Sequence, residues 1–149
     1  MNFPDSSTPF PKKEEVYFEN KERESAVHAA VTISEEAVIQ ILEGLELFEK
    51  EQQYREKGIT QGKLATRLQT NTKYLSLVIK NYKAENFNLY INKLRISYVV
   101  EKLADDPEYR KYKISYLADE TGFATHSAFT RTFREITGAT PSSYISSLK

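Results

Sequence analysis

"GFATHSAFTRTFREITGATPSSYI", residues 122–145, is the stretch from which the fold can be read. At helical spacing, Phe129, Phe133 and Ile136 share one side, and His126, Ser127, Thr130, Arg131 and Arg134 share the other. Thr125 is a side-chain cap for a helix over 126–137, and Gly138 closes it. Thr140-Pro141 then opens a further short helix with proline at its first position. Gly122 ends the preceding helix, 114–121, in the left-handed conformation that suits glycine. A short helix with an apolar anchoring side and a hydroxyl- and guanidinium-bearing side fits a probe of something long and anionic. It also fits a wall of an active site, so the rest of the chain has to decide.

The chain has 149 residues and a formal charge of zero, with 21 basic and 21 acidic side chains. The balance conceals a split: residues 1–56 carry six basic against thirteen acidic groups, and residues 57–149 carry fifteen against eight. An acidic leading segment joined to a basic domain points to a polyanionic partner, although ordinary surface charge explains it equally well. There is no Cys, hence no disulfide framework, thiolate nucleophile or Cys-rich zinc site. The two His, 28 and 126, have no partners at metal-ligand spacing, so no metal and no cofactor is expected. No nucleophile–base set stands out either, and an enzyme is not expected. No run of 18 apolar residues occurs, and the N-terminus lacks the apolar core of a secretory signal, which fits a cytoplasmic location.

Residues 1–33 hold three of the five Pro among Ser, Lys and Glu, and their apolar residues follow no period. They are expected to form a flexible tail or linker, with "VHAAVTI" (27–33) the part most able to order against a domain. From Ser34 the pattern turns helical. Ser34 is an N-cap, and Val38, Ile41, Leu42, Leu45 and Phe48 form one stripe that should fade near 56–58. Thr60 caps a second helix with Leu64, Ala65 and Leu68 inward. "QTN" (69–71) is a tight corner, and a third helix starts near Thr72 with Leu75, Val78, Ile79 and Tyr82 inward. A fourth runs over 87–104, its inward set being Phe87, Ile91, Leu94 and Tyr98, with Val99 and Leu103 beside them. Pro107 breaks the pattern before the fifth helix. Nothing alternates with period two, so the fold class is all-α, with seven helices.

The chain repeats itself. At an offset of 54, Leu75 meets Phe129, Ile79 meets Phe133, Lys80 meets Arg134 and Tyr90 meets Tyr144. Just upstream the offset is 53, where Leu64-Ala65 meets Leu117-Ala118, so the second corner is one residue longer. Two copies of helix, corner, helix describe either two helix-turn-helix units joined by a long linker helix or generic hairpins stacked in a bundle. The outward faces favour the first. Lys73, Ser76, Leu77 and Lys80 on the third helix correspond to Ser127, Thr130, Arg131 and Arg134 on the sixth, with His126 at its tip. Ser and Thr bond phosphates or base edges, Arg reaches guanine O6 and N7 together, and the helix starts at Thr72 and Thr125 offer backbone N–H groups to phosphate. The fourth helix, about 27 Å long at the usual rise, is of the order needed to space two probes one duplex turn apart. A helical protein–protein module without DNA binding stays open as the alternative.

"YINKLRISYVVEKL" (90–103), "ISYLADETGF" (114–123) and "FTRTFREITGATPSSYI" (129–145) resemble the DNA-binding domain of AraC/XylS-type transcription regulators. The match is strongest in the second half, at Leu117-Ala118, Gly122-Phe123, Phe129, Phe133, Gly138, Pro141 and Tyr144, and covers about residues 45–148. The resemblance implies a first unit over about 45–86, a linker helix over 87–104 and a second unit over 114–148, within a domain spanning 34–149. It implies double-stranded DNA as partner, RNA polymerase as a further one, and base contacts from Lys73, Ser76 and Leu77 and from His126, Ser127, Thr130 and Arg131. Arg95 matches a family arginine of the linker helix and is expected to be structural, paired with a carboxylate. Two departures stand out: Leu77 lies where a polar reader is common, and "QTN" lacks the glycine often found in that corner.

The family domain usually accompanies a sensor domain. The chain thus resembles the C-terminal piece of a longer regulator, in some cases membrane-anchored, with no small-molecule ligand of its own; a short stand-alone regulator is the other possibility. Lys80, Lys83 and Lys93 are expected to serve phosphates, and Asp119 and Glu120 to pair with nearby cations.

Overall fold

The computed structural model describes residues 32–148. The expected tail and most of "VHAAVTI" lie outside them; Ile33, its last residue, is buried. Among the described residues there are seven α-helices and no strand. None is long and apolar enough to cross a membrane.

The described chain divides into two compact units. The N-terminal one comprises residues 32–51 and 60–87. Its first helix, α1 (Glu35–Lys50), starts where Ser34 Oγ accepts the Ala37 N–H at 3.1 Å, and Glu35 and Glu36 sit favourably in its first turn. Val38, Ile41, Leu42, Leu45 and Phe48 are all buried, as the stripe predicts. The helix stops at Lys50, short of the expected fade near 56–58. Gln52 turns the chain at φ 57, and a 3₁₀ turn, Gln53–Arg55, buries Tyr54. Periodicity did not reveal this stop, because no Gly or Pro marks it.

Helix α2 (Gln61–Arg67) is capped by Thr60, whose Oγ1 accepts the Lys63 N–H at 3.1 Å. Helix α3 is Thr72–Tyr82, and α1 and α2 both pack on it. Leu64, Leu75 and Ile79 are fully buried, while Leu68 and Tyr82 are half-buried. Leu68 lies so close to Gly44 that a Cβ there would fall 2.5 Å from its Cδ2. Glycine on α1 therefore leaves room for the Leu68 side chain.

The C-terminal unit comprises residues 52–59 and 88–148, so the segment between α1 and α2 belongs to it in space. It contains nearly all of α4 (Phe87–Asp105), a 3₁₀ turn (Tyr109–Lys111), α5 (Ile114–Glu120), α6 (His126–Thr137) and α7 (Pro141–Ser147). Its core is Ile96, Val99, Leu103, Tyr109, Leu117, Ala118, Phe123, Phe129 and Phe133. The expected inward face of α4 needs correction. Ile91, Val99 and Leu103 are buried, but Phe87, Leu94 and Tyr98 are half-buried, and Tyr90, Arg95 and Ile96 are buried instead. A helix covered from more than one side has no single apolar stripe, so period alone could not select its core residues.

Candidate nucleic-acid interface

Both corners share one backbone device. The Thr70 N–H donates to Ala65 O at 2.9 Å, and the Phe123 N–H donates to Ala118 O at 3.1 Å. Each needs a residue at positive φ just before it: Gln69 at φ 57 in the first corner, Gly122 at φ 89 in the second. The missing glycine of "QTN" has thus left the turn itself intact. The next helices start on side-chain caps. Asn71 Oδ1 accepts the Tyr74 N–H at 2.9 Å, which makes Thr72 the first residue of α3, and Thr125 Oγ1 accepts the Ala128 N–H at 3.0 Å.

On α6 the anchoring side is aromatic. Phe129 and Phe133 are fully buried; Phe123 meets Phe129 at 5.4 Å between centroids and Phe133 meets Tyr144 at 5.4 Å, both edge to face. Thr137 donates its hydroxyl to Phe133 O at 2.8 Å, which tightens the last turn before Gly138 at φ 86. On the other side Thr125, His126, Ser127, Arg131 and Arg134 are exposed and Thr130 is half-buried. On α3, Thr72, Lys73, Ser76 and Lys80 are exposed and Leu77 is half-buried. Every sequence-predicted site residue thus lies at least partly on the surface, in two sets of one helix each. Among the described residues, Lys73, Lys80, Arg131 and Arg134 form no ion pair. Uncompensated cations beside small hydroxyls make a surface that attracts an anion and can bond it directionally.

Two cations do not serve as expected. Lys83 Nζ lies 2.9 Å from Glu49 Oε2 with its side chain only 8% exposed, so it ties the end of α3 to α1 rather than facing phosphate. Burial lowers its pKa from the usual value, against the raising effect of Glu49. Arg95 is structural, but its partners are carbonyls: Nε donates to Tyr54 O at 2.7 Å and Nη2 to Glu56 O at 3.0 Å. No carboxylate is needed, because the segment before α2 presents two carbonyl oxygens in the fork of the guanidinium. Lys93 is half-buried.

The acidic pair ending α5 meets cations as expected. Asp119 pairs with Lys57, and Glu120 Oε1 lies 3.6 Å from Arg55 Nη2. The same oxygen accepts the hydroxyls of Tyr98 and Tyr109, each at 3.1 Å. Desolvation by burial, followed by the Glu120 charge, raises the pKa of Tyr109. Arg55 stacks 4.3 Å from the Tyr98 ring and donates from Nε to Glu120 O at 3.1 Å. Sequence reasoning missed this cluster, whose only local trace is the acidic pair itself.

A family model described as a helix-turn-helix domain matches residues 64–147. Solved structures share the fold. The C-terminal domain of AraT, a response regulator from Geobacillus stearothermophilus, has TM-score 0.62 at 21% identity, over 72% of this chain and 84% of that one. A DNA-binding transcriptional dual regulator from Escherichia coli K-12 has TM-score 0.57 at 15% identity, over 73% and 91%. ToxT from Vibrio cholerae O395 has TM-score 0.60 at 22% identity, over 91% of this chain and only 49% of ToxT. No curated protein matches the chain significantly in sequence.

Proposed function

We propose, from the premise that the chain belongs to the AraC-type helix-turn-helix family of DNA-binding transcription regulators, that it reads double-stranded DNA with two recognition helices, α3 and α6, set in successive major-groove segments. The observation that carries this reading is the pairing, on each helix, of a buried apolar side with an exposed side whose cations lack counter-charges. Arg131 takes a guanine edge, and His126, Ser127 and Thr130 bond neighbouring bases or phosphates. Lys73 and Ser76 read on α3, and Leu77, half-buried, offers a methyl contact to thymine. Lys80 and Arg134 hold phosphates, as do the backbone N–H groups at the helix starts near Thr72 and Thr125. The 19-residue α4 acts as the spacer. Smooth bending of the duplex to receive both probes costs about 1–6 kcal/mol. An upstream sensor domain and RNA polymerase complete the proposed assembly.

Selection of bound duplexes from a random pool tests the reading. The expected result is a two-part motif, with binding that weakens steeply between two salt concentrations as displaced counterions are lost. An unselected pool, or binding indifferent to salt, would sink it. A helical protein–protein module would instead need an apolar groove along these helices, whereas the exposed side of α6 carries Ser, His and Arg.

A further inference from the structure

We infer that residues 52–59 are a positioning element for the second recognition helix, with Arg55 as its principal residue. The inference rests on the reading of α6 as a DNA probe. This segment lies in the sequence between α1 and α2, yet it packs against the corner that launches α6.

Seven contacts converge there. Arg55 Nε donates to Glu120 O at 3.1 Å, engaging a main-chain carbonyl in the last turn of α5. Its Nη2 faces the Glu120 carboxylate at 3.6 Å, and its Nη1 donates to Gln52 Oε1 at 2.9 Å. Lys57 pairs with Asp119. Arg95 holds the segment from the other side through Tyr54 O and Glu56 O. Gly122 lies against the Arg55 carbonyl so closely that a Cβ would fall 2.5 Å from that oxygen and 2.8 Å from its carbon.

The path to α6 is short. The Arg95 guanidinium lies 5.2 Å from the centroid of Phe123, and Phe123 meets Phe129 at 5.4 Å. Phe129 is fully buried and sits on α6 between Ser127 and Arg131. The corner is thus clamped on its main chain at residue 120, at residue 122 by close approach, and at residue 123 through its ring. A corner held at three points within four residues leaves the helix it launches little freedom of tilt. Groove reading depends on such placement, because a misplaced bidentate donor forfeits its bond.

The test uses the full chain and four variants. Arg131→Ala defines the base positions read by α6 and Lys73→Ala those read by α3, each scored as the ratio of affinities for the preferred and a substituted base. That ratio is independent of the fraction of folded protein, so simple destabilisation leaves it unchanged. Arg55→Ala should lower the ratio at the α6 positions about tenfold, the scale of one well-made base contact, and leave the α3 ratio intact. Arg55→Lys keeps the charge but loses the planar fork; should Arg55→Ala not fold, the same selective drop in this variant decides. An unchanged ratio at the α6 positions, or an equal fall at both sets, overturns the inference. If the unsubstituted chain selects no sequence at all, the DNA-reading proposal fails instead.

Discussion

The two helix–corner–helix units follow one plan in different materials. In the first, the corner residue at positive φ is Gln69, which is exposed; in the second it is Gly122, which is buried against the Arg55 carbonyl. Helix α3 is anchored by Leu75 and Ile79, α6 by Phe129 and Phe133 with Phe123 and Tyr144 around them. The solvent-facing sides differ too, Lys73, Ser76, Leu77 and Lys80 against His126, Ser127, Thr130, Arg131 and Arg134. The lesson of the corners is that a left-handed turn does not itself demand glycine. A non-glycine residue there costs about 1–2 kcal/mol, which a fold can carry. Glycine is required where another stretch of backbone comes too near for any Cβ.

The comparison is tested hardest at its anchors. Phe129→Ala should cost about 4 kcal/mol of stability and Leu75→Ala about 3, since each leaves a cavity in a closed core. Urea unfolding of both measures it; losses below about 1 kcal/mol would mean that the cores are looser than their burial indicates.

The corners come next. Gly122→Ala should cost about 2–4 kcal/mol, from the left-handed backbone together with the clash against the Arg55 carbonyl. Gln69→Gly should shift stability by less than about 1 kcal/mol, because relief of positive φ is offset by a more flexible unfolded chain. Equal effects at the two corners would mean that the Arg55 carbonyl does not select glycine at 122.

On the exposed sides of α3 and α6, where the proposal puts DNA, Arg131→Ala should weaken binding to the selected duplex by about 1–3 kcal/mol and relax one base position. Lys73→Ala should lose less; competition binding with base-substituted duplexes separates the two. The smallest effect belongs to the caps. Asn71→Ala and Thr125→Ala should each cost about 1 kcal/mol in thermal unfolding, and near-equality would show that the two helix starts are equivalent in kind.

Much of the scaffold was legible residue by residue. The stripe Val38, Ile41, Leu42, Leu45, Phe48 is buried throughout, and Ser34, Thr60, Thr125 and Thr140 are the caps that their positions announce. The exposed set on α6 was legible for the same reason, since a helix with two kinds of side declares which one it buries. The end of α1 and the inward face of α4 were not legible. The first is set by Gln52 turning at positive φ so that Tyr54 can be buried, and the second by neighbours on more than one side. The role of Lys83 and the partners of Arg95 also escaped, because Glu49, Tyr54 and Glu56 stand 34 or more residues away.

By itself, then, the sequence determined the presence of the helices, most of their caps, the repeated corner and the sides of α3 and α6 left for solvent. All of these depend on residues three or four apart, where backbone geometry alone brings side chains together. Tertiary structure decided which cations are spent internally, why glycine stands at 122 but not at 69, and that residues 52–59 brace the corner before α6. Those outcomes require groups far apart in the sequence to meet, as Arg55 and Glu120 do across 65 residues, and no local pattern encodes such a meeting.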